Sequence, residues 1–122
     1  EFMEFHKINE TFDDVLEMMT DPKAVIKIPE AVDRKYALCS SMTYLLWRGK
    51  NAADQQARIA GFYRICMALS SDFASMAMMD AMAGNGRESS SACAEALFKH
   101  EMYKPWAKKH GAALRKRYTI AI

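Results

Sequence analysis

The side chains best suited to covalent or metal chemistry in this 122-residue chain are three cysteines (Cys39, Cys66, Cys93) and three histidines (His6, His100, His110). A structural zinc site needs its ligands in close, paired spacings. No cysteine or histidine here has another within ligand spacing. Cys93 and His100 would share a face if one helix carried both. At seven residues apart, however, their backbones stand about 10 Å from each other, too far for a direct thiolate–imidazole pair. Glu95 and Glu101 are six apart and do not face each other well enough for acid–base work. Gly84-Asn85-Gly86-Arg87 precedes a helical stretch and could cradle an anion at that helix's N-terminus. It lacks the strand and the lysine of a phosphate-binding loop, and a turn that ends a helix is the simpler account. These residues predict a non-enzymatic chain with no catalytic residues, no metal site and no cofactor.

Binding chemistry is better represented. Lys104, Lys108, Lys109, Arg115, Lys116 and Arg117 crowd the last nineteen residues, with Trp106, His110 and Tyr118 interleaved. Basic residues alternating with aromatics suit a phosphate backbone with stacking bases, or an acidic protein surface. The opposite end is acidic. Residues 1–33 carry a net charge of −6 and residues 99–122 a net charge of +6, within a total of +2. Two such ends can attract each other within one chain, pair between chains as a homodimer, or meet different partners. The overall pI of 8.5 is modest for a nucleic-acid binder.

Ten methionines form a third feature, four of them (Met76, Met78, Met79, Met82) in one short predicted helix. Met76 and Met79 lie on its Phe73 side, and Met78 and Met82 on the other. A helix apolar on both sides is buried twice over, or offers one side to a partner through adaptable thioethers. Asp80 is the lone charge in that run and must reach solvent or a cation such as Arg64. Tyr44, Trp47 and Arg48 fall toward the edge of another predicted helix, where aromatics and arginine resemble an interface hot spot; packing against the fifth helix is the alternative for Trp47. In Gln55–Met67, the spacing of Ala57, Gly61 and Met67 resembles a helix-turn-helix motif, although Ser70 stands where that motif wants an apolar residue. A continuous helix, with Gly61 allowing close packing, is the simpler account.

The elements that must position these residues are helices. Five glycines and three prolines punctuate the chain, mostly at helix boundaries. A first helix is predicted from a Thr11 cap to Thr20, with Phe12, Val15, Leu16 and Met19 on one face. Asp21-Pro22 then restarts the chain, and 24–28 is a short helix or an extended piece. Pro29 opens a second helix running to Arg48, with Ala31, Val32, Leu38, Cys39, Met42, Leu45 and Leu46 as a wide apolar face. Asn51 caps the third, whose buried side carries Ile59, Phe62, Tyr63, Cys66 and Leu69. Ser71 caps the fourth, which ends at Gly84. The serines at 89–91 cap a fifth through Tyr103, and Pro105 starts a sixth that ends near Tyr118.

The predicted fold is all-α: a compact single-domain bundle of five or six mostly antiparallel helices over 3–122, with Glu1-Phe2 read as a cloning remnant. No secretory signal and no membrane-spanning run is expected. Three unpaired cysteines point to a reducing, cytoplasmic setting. The function expected is that of an adaptor, inhibitor or assembly factor. It would bind a protein through Lys104, Lys108, Lys109, Arg115, Lys116, Arg117 and Trp106, or through Met78 and Met82 with Trp47 nearby. Nucleic-acid binding by the same basic segment is the alternative.

Overall fold

A computed structural model of the chain describes residues 12–84 and 90–109. Five α-helices follow in order: α1 (Phe12–Thr20), α2 (Val32–Leu46), α3 (Ala52–Ala68), α4 (Ser71–Met82) and α5 (Ser90–Phe98). A 3-10 turn at Glu101–Tyr103 then leads directly into a helical run over 104–109, here α6. There is no strand among the described residues. The helices pack on one another as a compact all-α bundle around one contiguous core.

The tightest packing joins α1 to α3, the pair with the most extensive contact in the bundle. Val15, Met18 and Met19 are the buried residues of α1, and Phe12 and Leu16 lie half-buried beside them. The contact is close because α3 carries Gly61 at the crossing. A Cβ there would overlap the Met19 carbonyl and stand 2.5 Å from Met19 Cα. Helix α3 runs unbroken from Ala52 to Ala68 through Gly61. The glycine is therefore a notch for a neighbouring backbone and not the turn of a helix-turn-helix. Arg64, one turn further on, donates from Nη2 to the same Met19 carbonyl at 3.3 Å, placing a cation at the C-terminal end of α1.

The link from α1 to α2 is extended. Asp21 does not cap a new helix; its Oδ1 accepts from the Lys23 amide at 2.9 Å and its carbonyl from the Ala24 amide at 3.0 Å. Residues 25–29 then cross the surface without regular structure, with Ile26 and Ile28 half-buried on the core. Helix α2 begins at Val32, with Ala31 as its N-cap, and not at Pro29. Ala31 itself is extended, with φ of −68° and ψ of 136°, so the helix starts only after it. Ala31 and Val32 are consequently exposed and not part of the apolar face, whereas Leu38, Cys39, Met42, Leu45 and Leu46 are buried as expected.

A polar latch joins the end of α2 to the start of α3. Asn51 caps α3 by accepting from the Asp54 amide at 2.9 Å. Gln55 donates to the Leu46 carbonyl at 2.6 Å and accepts from the Gly49 amide at 3.0 Å. Arg58, only 4% exposed, donates to the Leu45 carbonyl at 2.7 Å and pairs with Asp54 at 3.1 Å. The last carbonyls of α2 are thus satisfied by side chains of α3. The Lys50 amide, donating to Asp54 at 2.8 Å, and then the Arg58 guanidinium hold the Asp54 carboxyl below the usual carboxylate range.

Leu69 and Ser70 alone separate α3 from α4. Ser70 takes the N-cap position of α4, one residue earlier than Ser71, and Gly84 follows the helix with φ of 83°. That left-handed conformation suits glycine and explains why the helix stops there. The remainder of the turn, 85–89, lies outside the described residues, as do Thr11, His6, His110 and the end of the sixth predicted helix.

Candidate functional site

The region expected to bind a partner begins where α5 ends. One helix through Tyr103 was expected, but α5 stops at Phe98, although no glycine or proline marks the break. His100 makes it instead. Its Nδ1 accepts from the Met102 amide at 3.2 Å, capping the 3-10 turn that leads into α6. Two exposed pairs, Lys99 with Glu95 at 3.1 Å and Lys104 with Glu101 at 2.7 Å, flank the break. Lys104 holds the Glu101 carboxyl below its ordinary range.

Tyr103 and Ala107, one turn apart, anchor the inner side of this segment. Tyr103 is fully buried, donates its hydroxyl to the Ile59 carbonyl at 2.7 Å, and meets the Tyr63 ring edge-on at 4.9 Å. Burial pushes its phenol well above the usual tyrosine value. With Ala107 inward, Pro105, Trp106 and Lys109 share another side of α6. They face the end of α3 and the start of α4 across a groove of about 420 Å³. Tyr63, Met67, Leu69, Ser71, Ala74 and Ser75 contribute to the opposite wall. Met67 is 46% exposed, and Trp106 is half-buried with its ring stacked on Phe98 at 6.0 Å. Among the described residues, Lys109 is the one charged side chain that lines this groove.

A second hollow, of about 330 Å³, lies between α2 and α4 and is lined by Ser40, Thr43, Tyr44, Asp80 and Ala83. Partial burial raises the Asp80 carboxyl above its ordinary value. Arg64 does not neutralise it, being committed to Met19, and no described residue forms an ion pair with Asp80. Tyr44 stacks on Phe12 at 5.4 Å, and the Arg48 guanidinium lies 3.7 Å from its ring centroid.

The expected binding residues therefore divide. Lys108 and Lys109 are exposed and form no ion pair among the described residues, while exposed Lys104 is held by Glu101. Trp106 lines the groove. Arg115, Lys116 and Arg117 lie outside the described residues. Met78 and Met82 are a correction: both are fully buried, so the Met-rich helix is doubly packed and offers neither to a partner. Trp47 is another. It is 8% exposed and its indole N–H donates to the Ala81 carbonyl of α4 at 2.8 Å, which makes it a brace between helices. The groove residues missed in the sequence are Met67, Leu69 and Ser75. For Leu69 the one signal was its place directly before the helix start at Ser70–Ser71; Met67 and Ser75 had none.

Among the described residues, the ion pairs Arg58–Asp54, Lys99–Glu95 and Lys104–Glu101 each join side chains three or four apart in sequence. The three cysteines are buried thiols outside any disulfide; burial, with Asp80 adding to it, pushes the Cys39 thiol up to about 11, and burial raises Cys66 as well. No three His, Cys, Asp or Glu side chains converge among the described residues, and no described helix is long and apolar enough to cross a membrane. No protein-family model matches the chain, and no significant match to it is found among curated proteins or solved structures.

Proposed function

We propose that this chain is a non-enzymatic protein-interaction module, an adaptor, inhibitor or assembly factor, that holds a protein partner on its basic C-terminal surface. One observation carries the reading. Helix α6 is fixed to the core by Tyr103 and Ala107, and this leaves Lys108 and Lys109 exposed, with Lys109 in the lining of a groove it shares with Trp106 and Met67. An aromatic and a thioether edged by cations are the parts from which binding hot spots are built. Met78, Met82 and Trp47 belong to the scaffold beneath. Three buried cysteines outside any disulfide favour a reducing, cytoplasmic setting.

The test is a tagged pull-down from lysate with and without nuclease, read by mass spectrometry. It is run on the natural chain and on a variant with Arg115→Glu, Lys116→Glu and Arg117→Glu together. A stoichiometric protein that survives nuclease and is lost from the triple variant is the expected result. Survival of that protein on the variant removes the basic segment from the reading. The six basic residues between 104 and 117 also suit nucleic acid. Loss of all captured material on nuclease treatment, with binding that weakens steeply as salt rises, replaces the protein reading with that one.

A further inference from the structure

We infer that the groove between α6 and the α3–α4 corner takes an acidic peptide segment with a large apolar anchor, supplied by the protein partner. This inference rests on the interaction-module reading and names the chemistry of the partner. The floor and walls are apolar where Met67, Leu69, Pro105 and Trp106 come together, and Met67 leaves 46% of its surface in solvent. Such surface gains most by covering an apolar side chain. The rim is cationic. The cation there is Lys109, which lines the groove and has no ion-pair partner among the described residues. Lys104, the third lysine of α6, is already neutralised by Glu101.

Charge complementarity therefore selects an occupant with carboxylates beside its anchor. Ser71 and Ser75, one turn apart on α4, add hydroxyls on the opposite wall that can donate to the same carboxylates. A nucleic-acid strand fits less well. The single lysine in the lining can pair with one carboxylate beside an apolar anchor, whereas a strand brings a phosphate at every nucleotide. The Trp106 ring is moreover already stacked on Phe98, so the face it turns there is not open to a base.

The experiment uses the full chain and short synthetic peptides of equal length and equal phenylalanine and leucine content. In one the remaining positions are glutamate, and in the other they are lysine. A single-stranded oligonucleotide is the third probe. Binding is followed by fluorescence anisotropy of labelled probes and by acrylamide quenching of tryptophan. Trp47 is buried, so protection from quenching on binding reports Trp106. The glutamate peptide is expected to bind and to protect Trp106, and the lysine peptide is expected to do neither.

Lys109→Glu and Met67→Asp alter exposed side chains, and each is expected to weaken the glutamate peptide roughly tenfold or more. The inference is overturned if the glutamate peptide does not bind, if it binds both variants as tightly as the natural chain, or if the oligonucleotide binds more tightly than the glutamate peptide. Failure here is distinct from failure of the interaction reading. A partner lost with the Arg115, Lys116 and Arg117 changes but retained by Lys109→Glu and Met67→Asp keeps that reading and discards the groove.

Discussion

The α1–α2–α3 half of the molecule and the α4–α6 half are held together by different means. In the first half, backbone meets backbone at Gly61 and Met19, and the last carbonyls of α2 are tied by Gln55 and Arg58. In the second half the buried surface is largely small: Ala74, Ala77, Ala81, Cys93, Ala94 and Ala107 pack around Met78, Met82, Leu97 and Phe98. Among the described residues, long-range side-chain hydrogen bonds that tie it to the first half include Trp47 to Ala81 and Tyr103 to Ile59. Interlocked backbones tolerate almost no change, whereas small side chains on helices can slide. The proposed groove straddles the two halves, taking Tyr63 and Met67 from α3 and Pro105, Trp106 and Lys109 from α6.

The strongest way to break this contrast is Gly61→Ala. The new methyl meets backbone that cannot rotate away, so α1 must lift from α3. The expected loss of stability is about 4 kcal/mol by urea denaturation, at the upper end of overpacking costs. A loss under about 1 kcal/mol would show that the two helices are not interlocked.

Arg58→Ala comes next. It strips the Leu45 carbonyl and the Asp54 carboxylate of their shared partner at a buried site, with an expected cost of about 3 kcal/mol. The latch also has an acid signature. The folded-state pKa of Asp54 lies below its unfolded value, so its contribution is complete above about pH 4 and fades as the pH falls through the folded value. Asp80, with its pKa raised, works in the opposite sense and gains stability as it protonates. Comparing urea midpoints of the natural chain and Asp54→Asn between about pH 6 and pH 3 isolates the latch: the two curves should converge on acidification.

The smallest expected effect, Tyr103→Phe, sharpens the contrast. It keeps the ring against Tyr63 and removes only the bond to the Ile59 carbonyl. The cost should be about 1.5 kcal/mol. Faster amide exchange should be confined to α6 and the 3-10 turn. Exchange accelerated equally in α1 would mean that the halves are not distinct.

What could be read from the sequence follows how local each signal is. Asn51 was legible as a cap because its partner is three residues away, and Gly61 as a packing notch because a glycine inside a helix has few other uses. The start of α2 was misplaced because Pro29 is an ordinary helix opener, and it is Ala31, two residues on and extended, that takes the cap position. The end of α5 was invisible because His100, not glycine, turns the chain. The latch at Arg58 depends on carbonyls thirteen residues back, which no local pattern reveals. At the candidate site, the lysines and Trp106 were legible from composition. Met67 and Leu69 were not, because their role depends on where α6 lands.

The placement of the three thiols gives the molecule internal stopwatches. Cys39 sits in α2, Cys66 in α3 and Cys93 in α5, and all three are buried. A thiol-modifying reagent can reach each sulfur only when its own part of the bundle opens, and buried thiols react sluggishly until then. Single-cysteine versions of the chain would therefore time the opening of each half separately. The lag between Cys93 and the other two would measure how long the α4–α6 half stays open while the rest remains shut.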